Sequence, residues 1–340
     1  MRMVFLIIAI ISSLYGGEKP LSVVIIGAGP AGLAMAIEAS KEGFAVTLVE
    51  RRVCYTRKQG LFLFEPALEL LNKWEVVLPD MVVGALSDKE RVGILEINML
   101  EKALAETVTR LNITQIHGEF TCAHESFAEI VTQEGIALVP YDVLVGADGL
   151  HSRVRDEVST PCITYEKAIV SSSFLEYPIG SEIVEIPTAE LYKGLYVKKM
   201  VTPVGSYIVL QKSINSPNKE LDIRDPKLIE EVARAFGWNE EAELIANGQT
   251  VISEEIDVVL QEAQLVSNRC KSIILVGDAA AVASFVQGMG VNYGFKTVML
   301  ATQFLTQILE DKDGAYIDFN QNMKITTHDL IGDSEYLIYK

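Results

Sequence analysis

The chain has 340 residues and a formal net charge of −17, from 46 acidic and 29 basic side chains, with a pI near 4.7. Such a field repels polyphosphate backbones, and no long basic block interrupts it, so nucleic acid is excluded as a partner. The length and an apolar content of 49% suffice for a sizeable core without metal or disulfide support.

The chain opens on Arg2 and the apolar run Met3 to Ile11, followed by Ser12, Ser13, Leu14, Tyr15, Gly16 and Gly17. This is the layout of a signal peptide, but the run is shorter than the roughly 20 residues of a membrane-spanning helix and no clean small-x-small cleavage site follows. Two readings of residues 1–19 stay open: a signal or membrane anchor, or the N-terminal extension of a cytoplasmic protein. Leu21 to Ile26, rich in Val and Ile, reads as a buried parallel strand. The turn Gly27-Ala28-Gly29-Pro30-Ala31-Gly32 follows, then a helix over Pro30 to Ser40 closed by Gly43, then a strand over Ala45 to Glu50. In this strand–helix–strand unit the first glycine permits a tight turn and the second lets a pyrophosphate approach the backbone. The third lets helix and strand pack closely, and the helix N-terminus presents free N–H groups to the phosphates. Glu50 ends the second strand where a carboxylate would bind a ribose hydroxyl pair, so the unit is read as dinucleotide-binding.

Farther along, 61–74 and 97–111 read as helices, and Tyr141 to Val145 as a short strand running into Gly146-Ala147-Asp148-Gly149. Residues 163–215 alternate aromatic and β-branched with polar residues, as antiparallel strands do. A helix is predicted over Asp225 to Asn247, a buried strand over Ser272 to Val276 leading into Gly277-Asp278, and a last helix over Val291 to Leu309. The remaining tail reads as polar and irregular. Cys54, Cys122, Cys162 and Cys270 form no CxxC pair and no histidine cluster completes a zinc site around them. They are expected to be reduced, mostly buried thiols, and no metal is assigned.

The stretch Tyr141 to Arg155, with its Asp148-Gly149 pair and downstream Ser152 and Arg153, resembles the Asp-Gly signature of the single-component flavoprotein hydroxylases. Gly277-Asp278-Ala279-Ala280 followed by Gln287-Gly288-Met289-Gly290-Val291-Asn292 resembles their Gly-Asp motif. With the N-terminal glycine motif, three signatures stand in family order over roughly residues 21–310. A looser similarity links Arg57-Lys58-Gln59-Gly60-Leu61 and the following residues to the flavin domain of the MICAL proteins, a branch of the same superfamily.

The resemblance implies an α/β fold of the para-hydroxybenzoate hydroxylase type. In it, a Rossmann-like FAD-binding domain (20–162 and 268–340) is intergrown with a smaller, mostly antiparallel substrate domain (163–267). It also implies FAD as cofactor and NAD(P)H as transient reductant. By the same resemblance, Gly27, Gly29, Ala31 and Gly32 would meet the FAD pyrophosphate, Glu50 the adenosine ribose, and Arg51 the adenosine. Asp148 and Gly149 would serve FAD and the passing nicotinamide, Asp278 the ribitol, and Gly288, Gly290, Val291 and Asn292 the flavin ring. A helix N-cap is the alternative reading of Asp148 and Asp278, but their position in two matching motifs favours the flavin role. The chain departs from the family pattern at Ala281, where histidine is usual, at Ser284 or Phe285 in place of a proline, and at Glu96-Ile97 in place of an arginine.

The expected activity is monooxygenation of an aromatic or polycyclic small molecule, with the catalytic residue unassigned. An FAD oxidoreductase without oxygen insertion is the rival, and a degenerate FAD-binding or interaction protein is the alternative of another class. A halogenase is disfavoured, because only Trp74 and Trp238 exist and no paired-tryptophan motif is present. Tyr192, Tyr196 and Tyr207 are candidates to line the substrate cavity. His151 is read as a surface residue, and oligomeric state is not legible.

Overall fold

The Val- and Ile-rich run forms β1 (Ser22–Ile26), turns into α1 (Pro30–Lys41) and returns as β2 (Ala45–Glu50), as the hydrophobic pattern predicts. The computed structural model describes residues 20–339 except 58, 79–80, 88–89, 160, 177–183, 186–189, 204, 217, 219, 253–255 and 284–287. The leader reading of 1–19 and the departure at Ser284 or Phe285 therefore lie outside the described residues. After β2 come β3 (Gly60–Phe64), α2 (Glu65–Lys73), β4 (Val82–Ser87), β5 (Glu90–Glu96), α3 (Ile97–Arg110) and β6 (Thr114–His117). They are followed by β7 (Glu119–Ala123), β8 (Phe127–Thr132), β9 (Gly135–Pro140), β10 (Val143–Gly146) and α4 (Arg153–Glu157). The middle of the chain holds β11 (Cys162–Glu176), β12 (Glu190–Tyr192), β13 (Leu195–Thr202), β14 (Gly205–Ser213), α5 (Pro226–Ala235), α6 (Asn239–Ala246), β15 (Val251–Ile252) and β16 (Ile256–Ala263). The last part is β17 (Ser267–Asn268), β18 (Ile273–Leu275), a 3-10 turn at Gly277–Ala279, β19 (Ala281–Val282), α7 (Gly290–Gln307) and α8 (Lys312–Tyr339).

One sheet has the order β17-β18-β10-β1-β2-β6 and is parallel except for β17, so β1 lies between two strands reached only by crossover. Its inner strands β1, β2, β10 and β18 are largely apolar because helices cover the sheet. Residues 32–39 of α1 are buried, and α1 packs against α3 and α7. The antiparallel sheet has the order β12-β13-β14-β11-β16-β19, with β15 also on β11, and two three-stranded sheets, β3-β5-β4 and β7-β8-β9, complete the architecture. This is the expected α/β class: a Rossmann-like unit intergrown with antiparallel sheet.

Three elements differ from the sequence expectation. Gly60 to Phe64 is a strand paired with β5, and the helix begins only at Glu65, with Pro66 in its first turn. A short apolar run fits either structure, and pairing decided it. The helix expected over 225–247 is two, α5 capped by the Asp225 side chain and α6 beyond a Phe236–Trp238 stack at 4.9 Å. The tail expected to be irregular is α8, whose Ala315, Tyr316, Phe319 and Met323 form a narrow helical stripe in the core, with Phe304 4.8 Å from the Tyr316 ring. Among the described residues no helix is long and apolar enough to cross a membrane.

Trp74 is fully buried, edge-on to Phe295 at 5.1 Å, and its indole N–H donates to the buried carboxylate of Glu38 on α1. It therefore ties α1 to both α2 and α7. Trp74→Ala is expected to cost about 3–5 kcal/mol of unfolding free energy, through the cavity and the acceptor left without its donor. Urea denaturation followed by circular dichroism measures it.

Candidate cofactor site

Because β1, β10 and β18 are adjacent and parallel, the loops after them open at one edge of the sheet, where such folds take ligands. These loops carry Gly27 to Gly32, Ala147 to Gly149, and Gly277-Asp278. Gly27, at φ +101°, has room for no side chain, since a Cβ there would lie 2.5 Å from the Ala147 carbonyl oxygen. A Cβ at Gly32 would stand 1.9 Å from the carbonyl oxygen of Gly27. Gly29 is different: a Cβ there would meet nothing within 4 Å, and as the N-cap of α1 it offers no side chain to the helix start. The uncapped N-terminus thus faces open space that a methyl group would enter. Ala31 sits against the third loop, because a Cβ at Gly277 would come within 2.7 Å of its methyl.

At the end of β2, Glu50 Oε2 accepts the Ala28 backbone N–H at 2.7 Å and Oε1 accepts that of Arg52 at 2.7 Å. Burial opposes ionisation of Glu50, but the hydrogen bonds and charge of Arg52, with the Ala28 N–H, outweigh it and hold the carboxyl below its usual value. Arg52 is the residue that sequence reading missed: it folds back over Glu50 at 3.1 Å, reaches Glu101 at 3.4 Å and lies over the Tyr55 ring at 5.4 Å. Arg51 points the other way, is largely exposed and pairs with Glu119 at 3.5 Å.

Asp278 is reached by solvent, yet the surrounding protein pushes its carboxyl pKa up, with Arg57 pulling it back. Asp278 Oδ1 would lie 3.9 Å from a Cβ at Gly290, the first residue of α7. Arg57 also donates to the fully buried Glu101, whose Oε2 is without a hydrogen-bond partner among the described residues, as is the buried Oδ1 of Asn98. Arg52 and Arg57 thus converge from the β2–β3 loop on Glu101, in the α3 helix that starts at Ile97.

Other expected site residues prove to be braces. Both oxygens of Asp148 are engaged by the start of α4: Ser152 Oγ donates to Oδ1, and the Arg153 and Val154 N–H groups donate to Oδ2 at 2.7 and 3.3 Å. Asp148 thus braces the first turn of α4 without being its N-cap, which is Ser152, and Gly149 beside it is open. Asn292 spends its amide on the backbone, accepting the Phe64 N–H at 2.9 Å and donating to the Phe62 carbonyl at 2.8 Å and that of Gly288 at 3.2 Å. It clamps α7 to β3, and Phe62 lies 3.2 Å from where a Gly288 Cβ would stand. Val291 is partly buried against the core, and His151 is exposed, as expected. Tyr192 turns away from the groove, its hydroxyl on Glu231 at 2.7 Å. The cysteines are not the buried thiols expected: Cys54 and Cys270 are exposed, and Cys122 and Cys162 are half-buried.

The geometry fits a dinucleotide running from Glu50 and Arg52, across the uncapped start of α1, past Asp278 to the start of α7. A family model described as FAD binding domain matches residues 80–318, and one described as NAD(P)-binding Rossmann-like domain matches residues 25–55. The fold and site define an FAD-dependent oxidoreductase. The chain belongs to the FAD binding domain family, and the two matches support FAD as its cofactor with NAD(P)H as reductant. Among solved structures it is similar to the flavin-dependent halogenase CmlS (TM-score 0.74, 16% identity), covering 92% of this chain and 63% of that one. It is similar also to the tetrameric form of 2-methyl-3-hydroxypyridine-5-carboxylic acid oxygenase (0.69, 17%), covering 93% and 91%, and to the Diels-Alderase PyrE3 (0.69, 17%), covering 93% and 72%. At these identities the likeness is one of fold.

Gly29→Ala is expected to keep its melting temperature but lose most bound flavin, whereas Gly32→Ala destabilises the protein by about 1–3 kcal/mol. Thermal melts and the flavin absorption of purified protein separate the two. Asp278→Ala is expected to fold and to release FAD more readily on dialysis, measured by flavin fluorescence in the dialysate.

Proposed function

We propose that the protein is a monooxygenase that takes electrons from NAD(P)H and inserts one oxygen atom of dioxygen into a small aromatic substrate bearing an anionic group. When bound, FAD supplies the acceptance of hydride and the activation of dioxygen. The chain's own residues hold the cofactor, seat the substrate and exclude water. Gly27, Gly29, Ala31, Gly32, Glu50 and Arg52 would hold the adenosine and pyrophosphate, Asp278 the ribitol, and Gly288 and Gly290 the ring end.

The observation that carries this reading is the inner face of the antiparallel sheet. Leu195, Val197, Ile208 and Leu210 face α5 and α6, while Val170, Met200 and Val209 on the opposite face pack with Phe62, Val92 and Ile94 of the β3–β5 sheet. Tyr207 lies on this inner face, 4.6 Å from the Phe174 ring, 6.2 Å from that of Phe62 and 3.2 Å from where a Gly60 Cβ would stand. Lys198 shares the face by strand alternation, opposite Val209, and is only 3% exposed. Among the described residues its ammonium has no acidic or hydrogen-bonding partner, and burial lowers its pKa to about 8. A buried, uncompensated cation is costly and is retained where a ligand brings the opposite charge. The named substrate of the similar pyridine oxygenase carries a carboxylic acid, which is in keeping with this reading. Trp74 is in the core and Trp238 stacks on Phe236, so neither tryptophan favours a halogenase.

Substrate-stimulated NAD(P)H oxidation with isotope-labelled dioxygen tests the proposal. Aromatic carboxylates are expected to stimulate oxidation and acquire label, and their kcat/KM is expected to fall as pH rises through about 8, where Lys198 loses its proton. Lys198→Met should raise KM for these acids roughly tenfold or more while leaving flavin content unchanged. Flavin that NAD(P)H never reduces would overturn the enzyme reading, and equal activity on neutral amide analogues would overturn the anionic-substrate reading alone.

A further inference from the structure

Away from the cofactor groove, the β7–β8 hairpin gathers three side chains that the sequence keeps apart. Cys122 and His124 are two residues apart and so project from one side of the extended chain. Glu129 on β8 pairs with Cys122 across the hairpin, the register being set by an irregularity between Phe120 and Cys122. Cys122 Sγ lies 3.4 Å from His124 Nε2, Nε2 lies 3.8 Å from Glu129 Oε2, and one ligand atom from each residue falls within 4.8 Å of the others.

We propose that Cys122, His124 and Glu129 form a surface binding site for a divalent ion of the zinc class, with water from the open side as fourth ligand. A tetrahedral zinc ion sets sulfur and nitrogen ligands about 3.5 Å apart and nitrogen and oxygen about 3.3 Å apart, given its bond lengths. The Cys122–His124 distance already meets this, and the carboxylate has about half an ångström to close. A direct hydrogen bond accounts for the trio less well, because at 3.8 Å the imidazole and carboxylate are too far apart for one. Thiolate with imidazole selects zinc over magnesium or calcium, which take oxygen ligands.

The ligands are held in place by their surroundings, as those of metal sites are. Thr121 Oγ1 donates to Glu129 Oε1 at 2.9 Å, leaving Oε2 to face the histidine. The His124 ring stacks on Phe127 at 4.3 Å, its backbone N–H donates to the Phe127 carbonyl at 2.9 Å, and its carbonyl accepts the Tyr141 hydroxyl at 2.6 Å. His124 is 44% exposed at the side chain, which leaves room for the water ligand. An ion here staples β7 to β8. The staple bears on β7, whose Phe120 carbonyl and Glu119 carboxylate hold Arg153, the residue whose N–H meets Asp148.

The test titrates zinc into the flavin-loaded protein against a chromophoric chelator. One equivalent is expected to be withheld from the chelator, and Cys122→Ser and His124→Ala should each weaken binding by at least about tenfold. Cobalt(II) in place of zinc should give tetrahedral absorption at longer wavelength than oxidised flavin, absent in Cys122→Ser. Unchanged circular dichroism and flavin content show that these surface variants remain folded. No competition with the chelator, or equal zinc binding by Cys122→Ser, overturns the proposal.

Discussion

Backbone packs directly on backbone where β1 passes into α1. The Gly27 carbonyl fills the place of a Gly32 side chain, and the Ala147 carbonyl fills that of a Gly27 side chain. This contact aims the start of α1 at the gap between the loops after β10 and β18, leaving Gly29 over open space. A side chain at either packed glycine would push the helix off its axis. The anion-binding end of α1, the open Gly149 and Asp278 would then no longer share one groove.

Each cation beside that groove is matched by a carboxylate. Two arginines from one loop, Arg52 and Arg57, are both drawn onto the fully buried Glu101, while Glu50 braces Arg52 from β2. Buried carboxylates thus hold arginines in orientations that exposed ones would not keep.

Two adjacent lysines illustrate how the antiparallel sheet separates structure from chemistry. Lys199 faces α6 and pairs with Glu241 at 2.7 Å, a satisfied contact between sheet and helix. Lys198 faces the other way, onto the apolar surface that closes against β3 and β5, and finds no such partner among the described residues. The sheet places both by simple alternation. What differs is the layer each one meets.

The sequence by itself determined the features that depend on near neighbours: the strand–glycine turn–helix unit, the Glu50 strand end, the apolar strands leading to Asp148 and Asp278, and hence the α/β class and a dinucleotide site, the flavin being implied by family resemblance. Backbone conformation and helix starts are governed over a few residues, so motif spacing suffices to reveal them. Tertiary structure decided what depends on pairing between distant segments. Strand register made Gly60–Phe64 a strand and brought Glu129 to Cys122 and His124. Packing made the polar tail a helix, spent the side chains of Asp148 and Asn292 as clamps, and put Arg52 over Glu50. Each of these depends on what stands opposite in space, a quantity that local propensity does not contain.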